Sequence, residues 1–180
     1  LLSRLPRLRD TSVDPAAAFG GTFHVNETYS QLAAAHAAAS AGEIPTPLPL
    51  EIYCHTLSDR SILGPELAET SAQTLTVFGL HTPDRLLESH DPEELRAALQ
   101  AAVLESLDAV LAEPIESLLL TDAAGAPTIE TKTTRDIELA LAMPGGNIFQ
   151  GPLSWPFVDD DAALATPAER WGVATAHPRI

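Results

Sequence analysis

Thr74-Leu75-Thr76-Val77-Phe78-Gly79-Leu80 (TLTVFGL) is the stretch that decides the fold class. It is nearly continuous in apolar, β-branched and aromatic residues, the composition of a buried strand. It is short enough for a strand and too short for a helix, and it predicts a strand in the middle of a sheet. Working outward, Leu50–Thr56 (LEIYCHT) gives a second strand, with Ile52 and Cys54 opposed to Tyr53 and His55. Thr22–Val25 gives a third, half-buried, with Phe23 and Val25 on one face and Thr22 and His24 on the other. Leu1–Leu8 (LLSRLPRL) reads as the end of a further strand, near an edge because Pro6 removes a ladder donor. Ser117–Thr121 and Thr128–Lys132 read as a hairpin around Ala124-Gly125-Ala126-Pro127.

Helices fill the intervals. Asp91-Pro92-Glu93-Glu94 is a strong helix start: Asp caps, Pro takes the first helical position, and acidic groups meet the positive end of the dipole. Leu95, Leu99, Val103, Leu107, Val110 and Leu111 then recur at helical spacing. Pro114 is the expected stop, giving roughly five to six turns. Asn26 is the expected cap of an earlier helix over about Thr28–Ala41, with Gly42 as its stop. Thr133-Thr134-Arg135-Asp136 resembles a cap before a short helix to about Ala142. Prolines 45, 47 and 49 make the segment before Leu50 extended and stiff, and Leu57–Ala72 reads as a long polar loop. The sum is an α+β fold: a mixed, largely antiparallel sheet covered by helices over residues 1–143, then a loop-rich segment over 144–180.

Charge narrows the partners. The formal net charge is −15 and the pI about 4.5, with Lys132 the single lysine and the arginines scattered. Phosphate recognition needs clustered cations, so nucleic acid is not an expected partner, and anionic membrane surfaces are disfavoured. No run of about 18 apolar residues is present, so no transmembrane segment is expected. Cys54 is the lone cysteine, which excludes an internal disulfide and suits a reducing, cytoplasmic setting. No signal peptide is visible, and the start at Leu1 without a methionine points to removed upstream sequence.

Motifs for phosphate loops, zinc ligation and activated serine are missing. The six histidines (24, 36, 55, 81, 90, 177) show no metal-ligand spacing, and no metal is expected. If the strands carrying His24 and His55 pair, the two imidazoles lie close together; the simpler reading is half-exposed strand histidines. Cys54 reads as a small buried hydrophobe. Asp159-Asp160-Asp161 lacks calcium-loop spacing and reads as a solvated acidic loop. No catalytic residue is named by these patterns.

The segment Lys132–Trp155 (KTTRDIELALAMPGGNIFQGPLSW) adds what composition does not. It resembles the late part of phytoene desaturase-like, FAD-dependent oxidoreductases, the carotenoid-desaturase branch of the amine-oxidase-type flavoproteins. Thr134 and Asp136-Ile137-Glu138 match the family's helix start, with Arg135 replacing the usual proline. Gly145-Gly146-Asn147-Ile148-Phe149 match directly, and Gln150 stands where histidine is common. Arg170–Ile180 resembles the segment returning to the flavin domain, and the likeness extends more loosely over most of the chain.

The resemblance implies a substrate-side domain of a longer oxidoreductase that moves a hydride from an apolar substrate to FAD. FAD belongs to the full-length parent and none is expected in this fragment, because no GxGxxG is present. The fragment alone is expected to be inactive. Its implied partners are an apolar small molecule and the parent's own FAD-binding domain, with the parent cytoplasmic or peripheral to a membrane. The substrate- or flavin-proximal residues are Gly145, Gly146, Asn147, Phe149, Gln150 and Trp155. For the two glycines, close approach to flavin and a helix C-cap both stay open. Phe149 and Trp155 are either walls of an apolar tunnel or core anchors. An exposed apolar face left without the flavin domain predicts self-association. The alternative is a stand-alone module that binds an apolar ligand or a protein partner without catalysis.

Overall fold

The computed structural model describes residues 1–148. The expected domain 1–143 falls among them; Phe149, Gln150, Trp155 and most of 144–180 lie outside the described residues. The fold is α+β. Strands β1 (Thr22–Val25), β2 (Leu50–Tyr53) and β3 (Thr76–Gly79) form one antiparallel sheet in the order β1-β2-β3. The register sets His24 opposite Glu51 and Phe23 opposite Ile52, while Val77 faces Ile52 from the other side. No parallel pair occurs among the described strands.

The centre of the sheet is β2, not the TLTVFGL strand. Leu50 and Ile52 are fully buried, whereas β3 lies at the sheet edge with Thr76 and Phe78 turned outward. Apolar continuity in that run came from Phe78, which is exposed and meets the Tyr53 ring edge-on, centroids 5.8 Å apart. A cross-strand aromatic contact on the outer face therefore supplied the signal for burial on both faces.

Three further expectations change. Leu1–Leu8 is not a regular strand: Leu2 bridges Gln73 and Leu119, and Leu8 bridges Leu111. The hairpin expected over 117–132 shrinks to one antiparallel bridge, Thr121 to Pro127, around the expected turn, and its first strand is preceded by a 3₁₀ turn, Ile115–Leu118. Ile115 and Leu118 are both buried, so the apolar spacing is three, not two. The loop closes through Asp122 N–H to Ala126 O (2.8 Å) and Thr128 N–H to Leu120 O (2.8 Å), with Gly125 at φ +84°. Asn26 is not the helix cap; it sits at φ +60° and its Nδ2 donates to Leu48 O at 3.0 Å. Thr28 caps instead, its N–H donating to the Gln31 side chain at 3.0 Å.

The remaining helices are α1 (Pro15–Phe19), α2 (Tyr29–Ser40), α3 (Pro65–Ala68), α4 (Leu86–Ser89), α5 (Pro92–Asp108) and α6 (Thr134–Leu141). Asp91 caps α5 as expected, accepting from Glu93 and Glu94 N–H at 3.0 and 3.1 Å. The helix stops at Asp108, well short of Pro114, because the chain turns to pair with the N-terminal segment. Arg9 N–H donates to Val110 O and Ala112 N–H to Arg7 O, and the Asp108 carboxylate accepts from Ile115 N–H. The polar loop 57–72 is not slack: Arg60 donates to the carbonyls of Leu67, Ala68, Thr70 and Ala72.

The core lies between the inner sheet face, the C-terminal half of α5 and the N-terminal segment. It joins Leu2, Leu8, Phe19, Val25, Leu48, Leu50, Ile52, Leu107, Leu111, Ile115 and Leu118. Cys54 belongs to it, with its Sγ 3.5 Å from Thr56 Oγ1, as expected of a small buried hydrophobe. No helix among the described residues is long and apolar enough to cross a membrane.

Candidate functional site

The motif that carries the flavoprotein resemblance is built on α6 and the turn after it. Thr133 caps α6, and its N–H and Oγ1 donate to Asp136 Oδ2 at 2.7 and 2.9 Å. The same carboxylate receives both guanidinium nitrogens of Arg96 from α5. Arg96 also donates to Thr131 O at 2.9 Å, so one side chain fixes the entry and first turn of α6. Those bonds hold the Asp136 carboxyl well below the usual range, with the Arg96 hydrogen bonds as the largest cause. Asp84, just before α4, grips the next two residues: Oδ1 accepts from Thr134 Oγ1 at 3.1 Å and Oδ2 from Arg135 at 3.0 Å.

The helix ends on Ala142 in the left-handed region (φ +55°), so the C-cap position is not a glycine. Gly145 and Gly146 follow in a 3₁₀ turn, Pro144–Gly146, at φ +59° and +65°. They are not equivalent. A Cβ on Gly146 would lie 2.5 Å from Thr134 O and 2.7 Å from Thr134 Cα, whereas one on Gly145 meets only Asp84 Cβ at 3.8 Å. Gly146 is thus the point where the chain folds back onto the first turn of α6. Gly146 N–H donates to Met143 O at 2.9 Å and Asn147 N–H to Pro144 O at 3.1 Å, closing the turn.

An open hollow of about 400 Å³ runs along α6, lined by Arg96, Glu130, Thr131, Lys132, Asp136, Leu139 and Ala140. Its lining joins charged and polar side chains with those of Leu139 and Ala140. Leu139 is 78% exposed, Leu141 61% and Ile148 60%, against full burial of leucines in the sheet core. The α6 unit is held by charge-assisted hydrogen bonds at its first turn and leaves apolar side chains in solvent at its last turn and just beyond. Of the six motif residues, Gly145, Gly146 and Asn147 come together here; Phe149, Gln150 and Trp155 lie outside the described residues.

His24 and His55 are not brought together. His55 stacks on Tyr53, ring centroids 6.0 Å apart, and His24 Nδ1 lies 2.7 Å from Glu27 Oε2. His24, Glu27 and Glu51 converge, which sequence spacing did not reveal because Glu51 joins through strand register alone. His36 and His81 also meet edge-on at 6.0 Å.

No family model matches this chain, and no solved structure matches it. The chain is similar along its whole length to uncharacterized proteins of Mycobacterium bovis and Mycobacterium tuberculosis, at 59% identity over 180 residues. It spans 33% of the length of these relatives.

Proposed function

We propose that this chain is the substrate-side domain of a phytoene desaturase-like, FAD-dependent oxidoreductase acting on an apolar substrate. The observation that carries the reading is the turn at Gly145-Gly146, where the residues that match the flavoprotein motif have a defined structural task. Both glycines hold positive φ, and Gly146 has no room for a side chain. Relatives about three times as long as this chain leave ample length for a cofactor-binding part.

The described residues do not fit FAD. At the start of α5 the Asp91 carboxylate takes the Glu93 and Glu94 N–H groups, and at the start of α6 the Asp136 carboxylate puts a negative charge where a pyrophosphate would sit, so neither helix start suits one. The cofactor belongs to the remainder of the parent, where it accepts the hydride. This chain contributes binding and shielding of the substrate. Leu139, Leu141 and Ile148 are the exposed apolar side chains of the motif unit, where a polyene or the flavin-binding part itself finds a dry contact. The same exposed side chains support self-association of the isolated chain.

The test is purification of the complete gene product. The expected result is one FAD per chain by absorbance and by release on denaturation, with bleaching of that flavin by an apolar alkene donor under anaerobic conditions. A complete product that neither carries nor takes up FAD overturns the reading, as does a reading frame that closes on these 180 residues, which favours the stand-alone module.

A further inference from the structure

On the outer face of the sheet, away from α6, His24, Glu27 and Glu51 gather their ligand atoms within 4.8 Å of one another. The convergence follows from the fold. Register pairs His24 on β1 with Glu51 on β2, so both side chains project from the same face. The left-handed residue Asn26 then turns the chain so that Glu27 comes back over His24. Each of the three comes from a different structural context: one strand, its neighbour, and the turn between β1 and α2.

Two details point to a ligand rather than to a solvated surface group. Glu27 is only 17% exposed, and its Oε1 is fully buried with no hydrogen-bond partner among the described residues. A buried carboxylate oxygen without a donor is costly and calls for a cation or a proton donor. The other detail is that neither Glu27 nor Glu51 has an Arg or Lys partner among the described ion pairs. Glu51 is itself oriented: the Tyr53 hydroxyl donates to its Oε2 at 3.2 Å, the kind of outer hydrogen bond that fixes a ligating carboxylate.

We propose that His24, Glu27 and Glu51 form a divalent-cation site of the zinc class. One imidazole with two carboxylates suits a borderline ion better than magnesium or calcium, which take oxygen ligands in larger number. With bonds of about 2.0–2.2 Å, donors around one zinc ion lie about 3.4 Å apart, so small side-chain rotations close the set. Cation binding replaces the 2.7 Å His24–Glu27 hydrogen bond and releases any proton it holds. Three protein ligands leave a fourth position for water. The bound ion ties β1, β2 and the turn before α2 to one another, a brace independent of the flavin reading.

The site is tested with zinc alone on the full 180-residue chain, by titration calorimetry and by the shift in Tm. Wild type is expected to bind one ion, with Tm rising on addition. Glu27→Gln and Glu51→Gln are each expected to weaken binding at least about tenfold and to lose the Tm rise. His81→Gln, which removes one ring of the separate His36–His81 pair, is expected to bind as wild type. Circular dichroism of the variants guards against simple unfolding, and these substitutions lie on or near the surface. Absence of a saturable zinc site in wild type overturns the proposal. So does unchanged affinity in both glutamine variants, or loss of binding in His81→Gln alone.

Discussion

The sheet core and the α6 unit are held by different physics. Around β2 the side chains are apolar and sealed: Leu50 and Ile52 have no exposed surface, and Leu107 and Leu111 close over them from the α5 end. Around α6 the anchors are charged and half-buried: Arg96 to Asp136, and Asp84 to Thr134 and Arg135, while Leu139 and Leu141 face solvent. A region built by apolar burial is complete within the chain. The α6 region is fixed by polar bonds at its first turn and keeps Leu139, Leu141 and Ile148 exposed beyond it.

Ile52→Ala removes a fully buried side chain from the central strand and is expected to cost about 2–5 kcal/mol by chemical denaturation. A cost under about 1 kcal/mol would mean that the sheet is not the cooperative core. Gly146→Ala forces a Cβ into Thr134 at a positive φ, and about 1–3 kcal/mol of local strain is expected. Proteolysis after Met143 should rise in that variant with the sheet's amide protection unchanged. Gly145→Ala, with open space around it, should cost less, about 1 kcal/mol from the backbone alone.

Acid separates the two regions in another way. The Asp136 carboxyl titrates lower in the folded chain than in the unfolded one, because Arg96 and the Thr133 N–H favour its charged form. Its contribution is therefore complete above the unfolded pKa of about 4 and is lost as pH falls through the lower folded value. Asp136→Asn should lower the stability of α6 near neutrality and flatten the acid limb of its unfolding. Glu113, held low by Arg4 and Arg7, supplies the same kind of acid sensitivity to the N-terminal segment and is unaffected by that change. The smallest effect is expected of Leu139→Ser: within about 0.5 kcal/mol for this chain, since the side chain is already in water. Its effect should appear instead in reduced self-association by light scattering.

Local chemistry was legible in the sequence. The Asp91 cap and the Thr133 capping box occur where their residue types require them, because each rests on contacts two or three residues apart, and Thr22–Val25 shows itself by its alternation. Long-range partners were not legible. The TLTVFGL run gave no sign that it lies at an edge, since Phe78 is excused from burial by a cross-strand contact with Tyr53. Leu111 fits the helical period of α5 but is spent on a bridge to Leu8, a partner about a hundred residues away. The His24–Glu51 pair likewise depends on register, which no spacing in the sequence announces. At the α6 unit, the glycines were readable as residues needing positive φ, but not that Gly146 presses on Thr134.

We propose that the exposed apolar side chains of α6 and its turn meet the flavin-binding part of a longer protein. Amide hydrogen exchange measures this directly, comparing residues 134–148 in the 180-residue chain and in the complete gene product with FAD bound. The account predicts that those amides slow markedly in the complete protein, while amides of Leu50–Tyr53 exchange at the same rate in both. Equal exchange of residues 134–148 in the two forms would contradict it.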